Sequence, residues 1–154
     1  MEQKEMIDLL RQVASGTMDV EQAALKLKEE PFEDLGFAKI DHHRAMRQGV
    51  AEVIYGEGKT PEQIFRIAEA MKEKGQKAVL ITRMNKESAI YVGEHLELQY
   101  DEVSRIGFIG EAPIKDGDGK IVVATGGTSD IPVAEEAART AETLGNEVVR
   151  LYDV

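Results

Sequence analysis

The apolar run Ile121-Val-Val-Ala-Thr125 passes straight into Gly126, Gly127, Thr128, Ser129 and Asp130, and Pro132 then opens a helix-prone stretch. Few local structures accept that order. A β-branched run without alternation predicts a strand buried on both faces of a parallel sheet. Gly126 and Gly127 would let the backbone turn tightly and approach a ligand with no Cβ in the way. Thr128 and Ser129 offer hydroxyls, and the first N–H groups of the following helix point to the same place. Together they make a ready anion site, most naturally for a phosphate. Asp130 suits a ribose hydroxyl or an N-cap. The loop lacks the glycine spacing of a Rossmann turn and the lysine of a P-loop. A plain strand-to-helix turn closed by an Asp cap therefore explains the local chemistry equally well.

The surrounding pattern is that of a β-α-β unit. A strand over 121–125 precedes a helix over 132–144, striped by Ala134, Ala137, Ala138, Ala141 and Leu144 and stopped by Gly145; a strand over 147–152 follows. Two parallel strands under one helix leave apolar faces unpaired, so residues 120–154 read as the beginning of a larger sheet. Upstream, Met6, Leu9, Leu10 and Val13 recur at helical spacing up to Gly16. Asp19 and Gln22 then suggest a capping box for a second helix, with Val20, Ala23, Ala24 and Leu27 facing Leu9, Leu10 and Val13. Residues 1–30 thus form a predicted helical hairpin, and Pro31 to Leu35 a linker.

Residues 37–110 read as a small β-α-β-α-β domain. Its strands are expected near 51–55, 78–82 and 103–109, while in Phe37-Ala-Lys-Ile-Asp41 apolar residues alternate with Lys39 and Asp41. Thr60, Pro61 and Gln63 start one helix, and Asn85 caps another over 86–96. The stretch 107–120, with Gly107, Gly110, Pro113, Gly117 and Gly119, reads as a connector separating this domain from 120–154. The predicted fold class is α/β.

Composition narrows the function. The chain has 154 residues and a net charge of −10, from 19 basic and 29 acidic side chains. Such a surface repels a nucleic-acid backbone, and no basic cluster offsets it. A small anion remains acceptable, because salt screens the distant field while local donors act directly. No apolar stretch nears the ~20 residues that span a bilayer, and Met1-Glu-Gln-Lys-Glu-Met lacks the regions of a signal peptide. No membrane association is expected, and the expected compartment is the cytoplasm. The absence of cysteine excludes disulfides, thiolate metal ligands and a cysteine nucleophile within these residues. Three histidines, His42, His43 and His95, make no metal-ligand pattern. Asp116-Gly-Asp-Gly119 is better read as a polar turn than as a calcium loop, lacking the closing Glu.

Four segments carry a family resemblance: Phe37-Ala-Lys-Ile-Asp41 with Arg44; Glu52-Val-Ile-Tyr-Gly-Glu-Gly-Lys-Thr-Pro-Glu-Gln-Ile64; Thr82-Arg83; and Gly127-Thr-Ser-Asp-Ile-Pro-Val-Ala-Glu-Glu-Ala137 running on to Val149-Arg-Leu-Tyr-Asp-Val154. With them the chain resembles the LarB family of nickel-pincer cofactor biosynthesis, itself related to aminoimidazole ribotide carboxylase. The resemblance implies a small amino-terminal α/β domain followed by the first β-α-β unit of a doubly wound, flavodoxin-like carboxylase domain. It implies carboxylation of the pyridinium ring of nicotinic acid adenine dinucleotide with carbon dioxide or bicarbonate. Hydrolysis to AMP and pyridinium-3,5-biscarboxylic acid mononucleotide follows, and a divalent metal is compatible with that step.

In the family a cysteine adds to the pyridinium, and it lies beyond the residues matched here. These 154 residues are accordingly expected to be an amino-terminal part, inactive alone and homo-oligomeric when full length. The resemblance assigns Gly126, Gly127, Thr128, Ser129 and Asp130 to substrate phosphate and ribose. Lys39, Asp41 and Arg44 become further substrate-binding candidates, with Tyr55, Glu57 and Lys59 in family-like segments as well. Solvated charges at Lys39 and Arg44, a half-buried core aromatic at Tyr55 and a turn at 56–58 are the alternatives. A stand-alone nucleotide- or phosphate-binding module and a non-catalytic, oligomer-forming piece are the competing functions.

Overall fold

The structure, a computed structural model, describes residues 3–28, 32–41, 52–111 and 114–154. Arg44, His42 and His43 lie outside the described residues. The chain divides into two compact units, Met1–Glu52 and Val53–Val154.

In the first unit, α1 (Gln3–Ala14) and α2 (Val20–Lys28) are followed by β1 (Phe32–Asp34) and β2 (Lys39–Asp41). Asp19 starts α2 as its sequence implies, its carboxylate accepting from the Gln22 N–H at 2.6 Å. The apolar stripe is narrower than expected. Leu9 and Ala23 are buried, while Leu10, Val20 and Ala24 face solvent. The predicted linker is a correction too, because Phe32–Asp34 pairs antiparallel with Lys39–Asp41. Its turn is local chemistry: Asp34 accepts from the Gly36 N–H at 2.8 Å, and Gly36 has φ +81°, a conformation that favours glycine.

In the second unit, β3 (Val53–Tyr55), α3 (Pro61–Glu73), β4 (Ala78–Thr82), α4 (Lys86–Gly93), β5 (Leu98–Asp101) and β6 (Ile106–Gly110) build a four-stranded sheet of order β3-β4-β6-β5. β3 and β4 are parallel, with Ile54 opposite Ile81. β6 runs antiparallel to β4 and to β5. The capping box of α3 forms as read, Thr60 Oγ1 accepting from Gln63 N–H at 3.2 Å and Gln63 Oε1 from Thr60 N–H at 3.0 Å. Asn85 caps α4 through the Ser88 N–H at 2.7 Å. Val79, Ile81, Met84, Ile64 and Val92 are fully enclosed between sheet and helices. The expected single strand over 103–109 is instead the second arm of a hairpin. Residues 102–105 form its turn, and Arg105 adopts φ +57°.

The remaining elements are β7 (Lys120–Ala124), a 3-10 turn (Thr128–Asp130), α5 (Ile131–Thr143) and β8 (Glu147–Leu151). β7 and β8 pair in parallel, Val122 opposite Val149, which is the expected β-α-β unit. Burial on both faces is not found. Ala134 and Ala138 of α5 are buried, but Val122 is 58% exposed, because one helix covers only one face of a strand pair. α5 also lies against β4 and β6, so the four-stranded sheet and the β7-α5-β8 unit share one compact unit, Val53–Val154. The fold class is α/β as read, a mixed sheet plus a parallel pair.

Candidate functional site

The loop after β7 is anchored at its root. Thr125 is buried, and its N–H donates to the Leu151 carbonyl at 2.9 Å. Its own carbonyl accepts from Val154 N–H at 3.1 Å, and its hydroxyl from Asp153 N–H at 3.3 Å. These bonds stitch the carboxyl end of β7 to that of β8, where parallel sheets present their ligand crevices. Beyond Thr125 the chain opens. Neither Gly126 nor Gly127 has a positive φ, and Gly127 is extended at φ −174°. A Cβ at Gly126 would find its nearest neighbour, the Val154 carbonyl oxygen, at 3.9 Å; at Gly127 it would meet nothing within 4 Å. The tight-turn reason for these glycines is thereby corrected. Neither dihedral nor packing asks for glycine, and open space lies where their side chains would stand.

Thr128, Ser129 and Asp130 form the exposed 3-10 turn that leads into α5, with Asp130 N–H donating to the Gly127 carbonyl at 3.3 Å. The Asp cap is corrected as well. Asp130 has helical dihedrals, φ −89° and ψ −9°, and its side chain makes no cap bond. A side chain must leave from extended backbone to reach back to the N2 or N3 amide. Among the described residues, the side chains of these three make no hydrogen bond or ion pair. Two free hydroxyls and the backbone N–H groups of Thr128 and Ser129 can receive a tetrahedral anion, since the Asp130 and Ile131 N–H groups are engaged with the Gly127 and Thr128 carbonyls and Pro132 has none. The Asp130 carboxylate is an acceptor suited to a hydroxyl rather than to the anion itself.

A second polar group gathers at the carboxyl ends of β3 and β4. Gly56 N–H donates to the Thr82 carbonyl at 2.7 Å, and a Cβ there would meet that oxygen at 2.9 Å, so this glycine is required by close backbone approach. The turn through Gly58 (φ +77°) closes with Lys59 N–H on the Gly56 carbonyl at 3.2 Å. Tyr55 OH donates to Glu57. The Arg83 Nε lies 2.8 Å from both carboxylate oxygens of Glu136, with its Nη1 3.9 Å from Glu57. The Glu57 hydrogen bond raises the Tyr55 phenol above its ordinary value. The Tyr55 bond, aided by Arg83 and against desolvation, lowers Glu57, and Glu136 raises Arg83. Each group is thus held in its usual protonation state, a poor arrangement for acid–base exchange and a good one for a fixed polar platform. Tyr55 is 52% exposed, not a core aromatic.

Lys39 and Asp41 stand on β2 in the first unit, where Lys39 makes an exposed ion pair with Asp34 at 3.6 Å. Sequence reasoning missed Glu136 as the partner of Arg83. It also missed the network in which Arg150 bridges Glu135 and Glu142, with Nε 2.8 Å from Glu135 and Nη1 2.6 Å from Glu142, while Tyr152 OH donates to Glu135 at 2.9 Å. The seven-residue spacing of Glu135 and Glu142, two helical turns on one face, was the available signal. Among the described residues no three His, Asp or Glu side chains converge as metal ligands, and no helix is long and apolar enough to cross a membrane.

Residues 32–111, from β1 through β6, match the LarB/PurE-like N-terminal domain. An uncharacterized protein of Methanocaldococcus jannaschii is 30% identical over 158 residues, an alignment covering 98% of this chain and 62% of that protein. The chain thus spans less than two thirds of its relative, and the similarity includes the 126–130 loop outside the domain match. Since that match takes in just over half of the sequence, together with the whole four-stranded sheet and its helices, the chain belongs to the LarB/PurE-like N-terminal domain family.

Proposed function

We propose that these residues serve a carboxylase/hydrolase of nickel-pincer cofactor biosynthesis, and that their share of the reaction is to hold the nucleotide. The overall conversion would take nicotinic acid adenine dinucleotide and carbon dioxide to pyridinium-3,5-biscarboxylic acid mononucleotide and AMP. One observation carries the binding role: Gly126 and Gly127 have no folding reason to be glycine, yet they border open space beside unpaired Thr128 and Ser129. A substrate phosphate would sit against the amides and hydroxyls, with a ribose hydroxyl donating to Asp130. The family resemblance supplies the rest. A thiolate adds to the electron-poor ring, the resulting enamine attacks carbon dioxide, and loss of the ring proton with expulsion of the thiolate restores the pyridinium. Water then cleaves the phosphoanhydride. With no cysteine among these 154 residues, the thiolate would have to be supplied from outside them.

Calorimetric titration with nicotinic acid adenine dinucleotide tests the binding role. Thr128→Ala and Ser129→Ala should each weaken affinity by about tenfold, the scale of one lost hydrogen bond to a charged group. Unchanged affinity in both variants would refute it.

A further inference from the structure

Arg83 occupies a backbone conformation that a side chain with a Cβ adopts at a cost, φ +53°. The surrounding chain holds it there. Arg105, itself at φ +57°, donates from Nη2 to the Arg83 carbonyl at 3.2 Å, and its own carbonyl accepts from Met84 N–H at 2.8 Å. Two left-handed arginines thus brace each other at the end of β4. The product of that brace is direction: the Arg83 guanidinium meets both oxygens of Glu136, whose side chain is only 19% exposed.

Stability alone does not explain the expense. The Arg83 side chain is 38% exposed, and ion pairs of that kind contribute little to folding. Glu136 stands five residues into α5, about 7.5 Å along the axis, and α5 grows directly out of the Thr128–Asp130 turn. The buried residues of α5 are Ala134 and Ala138, small side chains that place no large knob between the helix and the four-stranded sheet, so polar ties carry more of its placement against that sheet. Arg150 and Tyr152 hydrogen-bond α5 to the end of its own strand pair through Glu135 and Glu142, while the hydrogen-bonded tie from the four-stranded sheet to α5 is Arg83 to Glu136. Arg139 and Asp101 add a looser ion pair at 3.6 Å.

We propose that Arg83 is a positioning residue: through Glu136 it sets the attitude of α5, and so holds the 126–130 loop ready for a phosphate. This rests on the nucleotide-holding role proposed above. A rigid helix passes a change at Glu136 to its first turn, so the tie acts on the loop without touching the ligand.

The test compares wild type, Arg83→Gly, Glu136→Gln and the reversed pair Arg83→Glu/Glu136→Arg. The readouts are thermal midpoint, hydrogen exchange of the 125–131 amides without ligand, and AMP affinity. Arg83→Gly relieves the left-handed strain and should keep or raise the midpoint, while loop exchange quickens and AMP binding weakens by about tenfold each. Glu136→Gln, which leaves the backbone alone, should do the same to exchange and binding, and the reversed pair should recover part of both. A merely structural ion pair would instead move the midpoint and the affinity together. Unchanged loop exchange in Arg83→Gly and Glu136→Gln overturns the proposal even if AMP binds normally. A wild-type chain that binds no AMP overturns the nucleotide-holding role and, with it, the positioning role, while its exchange data still report whether the tie orders the loop.

Discussion

Alanine at Gly126 or Gly127 separates what the loop needs for folding from what it needs for a ligand. A methyl at 126 would have the Val154 carbonyl oxygen at 3.9 Å, an ordinary contact, and one at 127 would have no neighbour within 4 Å. Neither residue is left-handed. The folded state therefore gains no strain while the unfolded chain loses freedom, and each variant should be unchanged or more stable by roughly 0.4–1 kcal/mol. Gly110→Ala is the internal control. There φ is +114°, and a Cβ would fall 2.1 Å from the Lys77 carbonyl oxygen and 3.0 Å from Ala78 Cα. Backbone cannot swing aside as a side chain can, and Gly110 is paired to Ala78 across β4 and β6. That variant should lose about 3 kcal/mol or more. Urea unfolding gives these values from midpoint shifts at constant slope. AMP titration should then show Gly126→Ala and Gly127→Ala weakened by about tenfold or more, since the methyl occupies the approach of the phosphate. The reasoning fails if Gly126→Ala costs more than about 1 kcal/mol, because the glycine would then be a folding requirement. It fails equally if both loop variants bind AMP as wild type does.

Acid stability should carry the mark of the Arg150 network. The Arg150 hydrogen bond, helped by Arg139 and opposed by burial, holds Glu142 below its ordinary value of 4.5. A carboxyl depressed in the fold stabilises above its unfolded value, and that stability is lost as pH falls through the folded one. Glu142→Gln should therefore cost about 1 kcal/mol at pH 7 and progressively less as the pH is lowered through the depressed folded value, measured by urea unfolding along a pH series; an equal loss at neutral and strongly acid pH would contradict the linkage. Incubation of the 154-residue chain with nicotinic acid adenine dinucleotide and labelled bicarbonate should give no labelled pyridinium product, for want of a thiolate. Label above a boiled control would contradict this.

What could be read from the chain was local chemistry. The Thr60–Gln63 box, the Asn85 cap and the Asp19 start all act within four residues, and each forms as read. The parallel pairs β3–β4 and β7–β8 followed from apolar runs alternating with helix-period stretches that open on Pro61 and Pro132. The hairpin of β5 and β6 was missed, because Leu98-Gln-Tyr-Asp101 is short and mixed. Its turn also relies on Arg105 in a conformation that sequence habits reserve for glycine or asparagine. Arg83 to Glu136 spans 53 positions, and no local pattern announces such a pair. The loop was legible in its residue types and misread in its geometry. Two glycines promised left-handed or tightly packed backbone, while neither has a positive φ, Gly127 is extended, and the side chains that follow are unpaired.

Amide chemical shifts of the isotope-labelled chain, followed during titration with AMP and separately with adenosine, test the nucleotide-holding loop most directly. The backbone signals of Gly126 through Ile131 should move with AMP and far less with adenosine, because the phosphate is what the amides and the hydroxyls of Thr128 and Ser129 receive. Shifts of equal size with both ligands, or AMP-induced shifts that spare residues 126–131, would contradict it.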